Sequence, residues 1–286
     1  MTEAATVTPP SRIVLVLGGG GVKAAAHAGA WRALAETGLT PGHLFGTSMG
    51  AVIAACFAAG LDYGAVRARM VAIRREDVAR GRRMVAVRGL TVPSLFYLEP
   101  LRAAIEQLVP ARAFSELSVP LSVTAVDLDS GALTLFGAGG RDIPLVDALL
   151  ASCALPVFYP PVVINGRRFA DGGLRAVLPL ESAAAVPADL VIAVDTGPGF
   201  DEAETSGSGM PALLAAHNAA TGILMAENTA LDVALWRANP GRARLIYVRP
   251  KVDRHVTFRV DLAGKYAEEG YRATAAELER AGFVRR

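Results

Sequence analysis

Histidine is scarce in this chain. His27, His43, His217 and His255 are the only four in 286 residues, so imidazole bases and histidine-rich metal sites have few places to reside. Cysteine is scarcer. Cys56 and Cys153 lie far apart, each in an apolar run, which excludes a disulfide framework and a cysteine metal cluster. Both read as reduced core residues of an intracellular protein. No other ligand set has metal spacing, and no metal or cofactor is expected. An excess of one charge is lacking too. With 29 basic and 27 acidic residues the formal net charge is +2, too slight to imply a nucleic-acid partner. No run of about 18 uncharged apolar residues suggests a membrane span. The longest candidate, 210–226 ("MPALLAAHNAATGILMA"), is interrupted by His217, Asn218 and Thr221 and reads as a core or interface helix. The opening "MTEAATVTPPSR" lacks the charged and apolar regions of a signal peptide, so a cytoplasmic location is expected.

Apolar residues and glycine are abundant: 52% hydrophobic, with 29 glycines. That composition suits buried strands and close packing. "RIVLVL" (12–17) and "DLVIAVD" (189–195) are continuous β-branched and leucine runs, the pattern of parallel strands covered on both faces. "HLFGT" (43–47) and "ARLIYVRP" (243–250) add strands, and "LSVTAVDL" (121–128) with "ALTLFG" (132–137) form a hairpin. "VVINGRRFA" (162–170) is a second hairpin turning at Asn165-Gly166. Helices are expected over 22–37, 49–59, 64–88, 100–109, 211–237 and 262–281. The second is apolar on all sides and belongs in the middle of the molecule. Residues 197–209 are Gly/Ser-rich and acidic and read as a loop. The alternation implies one α/β domain over 12–286 behind a disordered lead at 1–11, with a central, mostly parallel β-sheet flanked by helices.

Three stretches hold candidate chemistry. In "GTSMG" (46–50), Ser48 sits between a strand and a helix, with Gly46 and Gly50 two positions away on either side. A serine forced to the tip of such a turn is a nucleophile; the plain alternative is a helix N-cap. In "LGGGGVKAAAHAG" (17–29), bare N–H groups after a buried strand would hold an anion, either a nucleotide phosphate or the oxyanion of a tetrahedral intermediate. The nucleotide reading is poor, because Lys23 is followed by Ala24 where a phosphate loop needs Ser or Thr. A structural glycine turn stays open. In "FADGG" (169–173), Asp171 stands at a strand end before Gly172 and Gly173, as a free carboxylate or as an Asx turn. Asp195, Asp127 and Asp129 are rival carboxylates.

The histidines decide among mechanisms. A Ser-His-Asp triad of the usual hydrolase order needs a late histidine, but His255 lies in the charged "KVDRHVTFR", and His27 sits among alanines as a packed core residue. Chemistry run on serine and aspartate alone, without a histidine, is therefore an open alternative to a triad.

Together the three stretches resemble the patatin-like phospholipase family, in which a G-G-G-x-[RK]-G loop, a G-x-S-x-G elbow and an Asp-Gly-[Gly/Ala] motif follow in this order. Here they are "GGGVKA" (19–24), "GTSMG" (46–50) and "DGG" (171–173), joined by "ASCALPVFYPPVVINGRRFADGG" (151–173). The likeness covers roughly 12–196. Ala24 replaces the last loop glycine, and Val177 stands where the family carries asparagine. The resemblance implies a three-layer fold with a buried helix after the nucleophile, and hydrolysis of lipid acyl esters by a Ser48–Asp171 dyad. The backbone of Gly19, Gly20 and Gly21 would hold the oxyanion, with Lys23 at the family's basic position, either ordering the loop or facing an anionic headgroup. A lipid-binding module without activity, or an esterase or thioesterase for smaller acyl groups, is the alternative. Residues 67–88 hold eight arginines among Met, Val and Ile. They read either as a peripheral membrane contact or as a solvated helix face.

Overall fold

The computed structural model describes residues 10–82, 92–199, 212–253 and 257–285. The β-branched runs become the strands β1 (Ile13–Leu17), β2 (His43–Thr47), β3 (Leu121–Asp127), β4 (Leu133–Gly137), β5 (Val162–Ile164), β6 (Arg167–Asp171), β7 (Leu190–Val194) and β8 (Arg244–Val248). All eight belong to one sheet, in which β3, β2, β1, β7 and β8 run in that order and pair in parallel. The longer helices are α1 (Ala26–Thr37), α2 (Met49–Ala58), α3 (Tyr63–Ala72), α4 (Leu98–Leu108), α5 (Leu145–Ser152), α6 (Ala212–Ala238) and α7 (Ala263–Arg280).

The two-residue side-chain period of β1 divides the core. Ile13, Leu15 and Leu17 face a large cluster that includes α2, whereas Val14 and Val16 pack with Leu180, Val233 and Trp236 on the opposite face. Both faces are therefore covered, which makes this a three-layer α/β architecture. Every residue of α2 after Met49 is buried; no polar stripe is present because no face of that helix meets water.

One detail of the sheet positions the site. Along residues 122–126, β4 occupies one edge of β3. The other edge is shared. β2 pairs with it in parallel up to Thr47↔Thr124, and β6 pairs antiparallel beginning at Ala125↔Asp171. The C-terminal ends of β2 and β6 thus meet head to head, which brings Ser48, just after β2, beside Asp171, the last residue of β6.

Several elements differ from the sequence expectation. The helix expected from Val22 begins instead as a 3-10 turn, Gly21–Ala25, before α1. The basic segment is not one helix: α3 ends at Ala72 and a single turn follows at Arg75–Val78, while residues 83–88 lie outside those described. So do most of the 197–209 loop and all of the expected lead but Pro10 and Ser11. The helix α5 had no recognised sequence signal. α6 has only Ala226, Thr229, Val233 and Trp236 buried, with Leu213, Leu224, Leu231 and Leu235 at least half exposed, so it covers the core rather than lying within it. No helix among the described residues is long and apolar enough to cross a membrane.

The backbone is closely packed at the start of α2. A Cβ on Gly50 would overlap the carbonyl oxygens of Leu17 and Gly18, and one on Gly46 would overlap the backbone of Ala51. The two glycines let α2 fold back against the ends of β1 and β2. Gly50→Ala is expected to cost roughly 3 kcal/mol of stability, read from the urea midpoint by circular dichroism.

Candidate active site

Ser48 has φ 54° and ψ −134°, a backbone conformation that costs an L residue about 1–3 kcal/mol. Surrounding bonds hold it there. Thr47 Oγ1 lies 2.7 Å from Thr124 Oγ1 and donates to the Ala176 carbonyl at 3.1 Å. The Ser48 N–H donates to Ser152 Oγ at 2.7 Å. The side chain makes no capping bond to α2; its hydroxyl donates instead to Asp171 Oδ2 at 2.7 Å. The N-cap alternative is therefore not the geometry adopted.

Asp171 is 5% exposed. Its N–H donates to the Ala154 carbonyl at 3.0 Å, and its Oδ1 accepts from the Gly173 N–H at 2.8 Å. The Asx-turn reading and the reading as Ser48's partner are thus both realised, one on each carboxylate oxygen. Burial pushes the Asp171 carboxyl up from 3.8 to about 6, against the hydrogen bonds from Ser48 and Gly173 that favour its ionised form. A Cβ on Gly172 would overlap Thr124 Oγ1, so glycine there lets the chain turn against β3.

The glycine loop is held by its neighbours. Gly18 N–H donates to Val194 O at 3.0 Å and Gly19 N–H to Val177 O at 3.1 Å. Thr196 Oγ1 donates to Gly19 O at 3.2 Å, and His27 Nε2 reaches Gly18 O at 2.7 Å. Gly19, expected as an anion donor, thus has its N–H engaged within the fold. Among the described residues no acceptor pairs with the N–H of Gly20 or Gly21. A Cβ on either would overlap Thr196 or Thr257.

Val177, where asparagine was expected, acts through its carbonyl, which any side chain leaves in place. Ala24 is 1% exposed, its methyl accommodated in the core. Lys23 is buried, and its Nζ donates to the Gly197 carbonyl at 3.3 Å. That contact suits the loop-ordering reading, and Lys23 also lines the cavity at Ser48, where a headgroup would lie.

The rival carboxylates and the described histidines lie away from the cavity. Asp195 accepts from Tyr247 Oη and Arg249, at 2.7 and 2.9 Å. Asp127 pairs with Arg167, and Asp129 with Arg168 at 2.7 Å. Desolvation pushes buried His27 down to about 4, so it stays neutral at pH 7. His43 contacts Ser122 Oγ at 2.9 Å, and His217 lies on α6. None of these three lines the cleft at Ser48; His255 lies outside the described residues. Among the described residues no group of His, Cys, Asp or Glu side chains is arranged to hold a metal.

Ser48, Asp171 and the glycine loop open onto a cavity of about 200 Å³ lined also by Ile53, Met70, Ile73, Leu101, Leu108 and Phe258. These side chains come from α2, α3, α4, the residue after α3 and the segment before α7. Polar groups are confined largely to the dyad and loop. A hydroxyl, a carboxylate with raised proton affinity, two unpaired N–H groups and an apolar cavity suit acyl transfer to or from a largely apolar substrate.

Sequence reasoning missed Ser152 and Thr196. Ser152 ends a helix that had no cap or period signal, and Thr196 follows a strand as any threonine does. Ser152 lies in the stretch 151–173 that resembles the family, but nothing in that stretch says which group its hydroxyl meets, and the contact of Thr196 has no local signature.

A model of the patatin-like phospholipase family matches residues 15–184, which include the loop, Ser48 and Asp171. An uncharacterised NTE family protein of Mycobacterium tuberculosis is 35% identical over 196 residues, covering 66% of this chain and 52% of that one. Mouse patatin-like phospholipase domain-containing protein 7 is 32% identical over 191 residues, 65% of this chain and 14% of the other. This chain thus spans about half the length of the mycobacterial relative. The crystal structure of VipD from Legionella pneumophila has a TM-score of 0.49 at 14% identity, over 98% of this chain and 69% of that one. With more than half of its length matched, three motif stretches included, the chain belongs to the patatin-like phospholipase family.

Proposed function

We propose that the protein is a serine hydrolase of lipid acyl esters working through a Ser48–Asp171 dyad. The observation that carries this reading is the 2.7 Å hydrogen bond from Ser48 Oγ to Asp171 Oδ2, made from a strained turn at the wall of an apolar cavity. Asp171 takes the hydroxyl proton as Ser48 Oγ bonds to the ester carbonyl carbon. The N–H groups of Gly20 and Gly21 hold the resulting oxyanion, each donor lowering the barrier by roughly 3 kcal/mol. Collapse breaks the ester bond, and the proton passes from Asp171 to the departing alcohol. Water then attacks the acyl-enzyme, Asp171 accepting its proton and returning one to Ser48. The acyl chain lies along Ile53, Leu101 and Leu108, where its burial is favourable by about 0.8 kcal/mol per methylene.

A fluorophosphonate probe tests the reading. The phosphonyl mass is expected on the peptide containing Ser48, with loss of hydrolysis of p-nitrophenyl esters. The specificity constant should rise from acetate to decanoate as methylenes enter the cavity. A chain inert to both probe and esters would instead support a lipid-binding module, and equal rates for all chain lengths would remove the lipid assignment.

A further inference from the structure

Residues 152–154 touch both members of the dyad through the backbone. Ser152 Oγ accepts the Ser48 N–H at 2.7 Å, and the Ala154 carbonyl accepts the Asp171 N–H at 3.0 Å. Ser152 is wholly buried at the last turn of α5, a helix packed against β3 and β6. Nucleophile and base stand at the ends of different strands, 123 positions apart in sequence, and this tripeptide ties one to the other. We propose that Ser152 is a positioning residue: its hydroxyl fixes the Thr47–Ser48 peptide plane so that Ser48 Oγ points at Asp171. The proposal rests on the dyad reading above. The φ of 54° at Ser48 makes such a tether necessary, since an unrestrained peptide would relax toward a commoner conformation and carry Cβ away from the carboxylate. A buried backbone N–H left with no partner would add to that drift.

The experiment compares Ser152→Ala, Ser152→Cys and Ser152→Thr, with kcat for p-nitrophenyl butyrate expressed per fluorophosphonate-titrated site. Counting only titrated sites removes any loss due to unfolded protein. Ala and the weakly accepting Cys are expected to lower kcat roughly tenfold, the effect of about one hydrogen bond in the transition state. KM should stay within about twofold, and Thr, which keeps the oxygen, should recover most of the rate. A weaker Ser48–Asp171 bond also leaves Asp171 easier to protonate, so the acid limb of kcat/KM should move to higher pH in the Ala variant. Wild-type kcat in both Ala and Cys would overturn the proposal, as would equal losses in Thr and Ala with an unmoved acid limb. If Ala does not fold, the Cys and Thr pair decides alone. Ser48→Ala in parallel separates the two claims: full activity there would sink the dyad itself, whereas an inert Ser48→Ala beside a fully active Ser152→Ala sinks only the tether.

Discussion

Ser48→Ala is expected to lower kcat for ester hydrolysis by on the order of 10⁴-fold or more, the usual result of deleting a nucleophile. Fluorophosphonate labelling should vanish with it. Ser48→Gly should be equally inactive but should differ in stability. Both variants remove the hydroxyl that reaches Asp171, yet only glycine adopts φ 54°, ψ −134° without strain. The glycine variant is therefore expected to unfold at higher urea than the alanine variant, by about 1 kcal/mol. Comparing the two inactive variants separates the cost of the turn from the loss of the hydrogen bond. Residual hydrolysis near the wild-type rate in either would place the nucleophile elsewhere. An alanine variant as stable as the glycine one would mean that the turn holds no strain.

Asp171→Asn is expected to reduce kcat by roughly 10²- to 10⁴-fold, the range for loss of a general base. Its stability should move the other way. Burial raises the Asp171 carboxyl from 3.8 to about 6, so the folded protein binds this proton more tightly than the unfolded chain does. Stability from this group is therefore fully present below about pH 4 and falls as pH rises toward 6. Above that, ionised Asp171 costs the fold on the order of 3 kcal/mol. The asparagine variant carries no such charge. It should be more stable than wild type at pH 7 to 8, and the difference should shrink to nothing near pH 4. In the wild type, kcat/KM should rise about tenfold per pH unit up to about 6 and then level off. A flat profile between pH 5 and 7 would remove Asp171 as the base. A stability gap that grew on acidification would mean that the carboxylate is favoured by its surroundings.

Much of the architecture could be read from the chain because its signals are local. β2 and α2 were delimited by the glycines of "GTSMG" and the apolar run behind it, and they lie at His43–Thr47 and Met49–Ala58. The turn at Asn165-Gly166 was equally legible, both residues having positive φ. What escaped depends on where distant segments land. Gly19 looked like a donor until the Val177 carbonyl, far along the chain, was seen to take its N–H. The surroundings of Lys23 were equally hidden: it donates to the carbonyl of Gly197, far along the chain, and also lines the cavity at Ser48. α5 lacked a cap and a clear period, and with it went Ser152. The stretch 210–226 read as a core or interface helix because His217, Asn218 and Thr221 interrupt its apolar run, a pattern that cannot say which face of α6 meets the domain.

The head-to-head meeting of β2 and β6 on one edge of β3 bears on the order of folding. Neither strand alone places a reacting group; the relation between them exists only once each has found its register on β3, at Thr47↔Thr124 and Ala125↔Asp171. Pairings so distant along the chain are slow to form, since loop closure must precede any compensating contact. Helices such as α1 and α7 need no such closure to begin forming. A refolding chain should therefore regain helical signal before it regains any hydrolysis that needs Ser48 beside Asp171, because the cavity wall and the dyad form in the same late step.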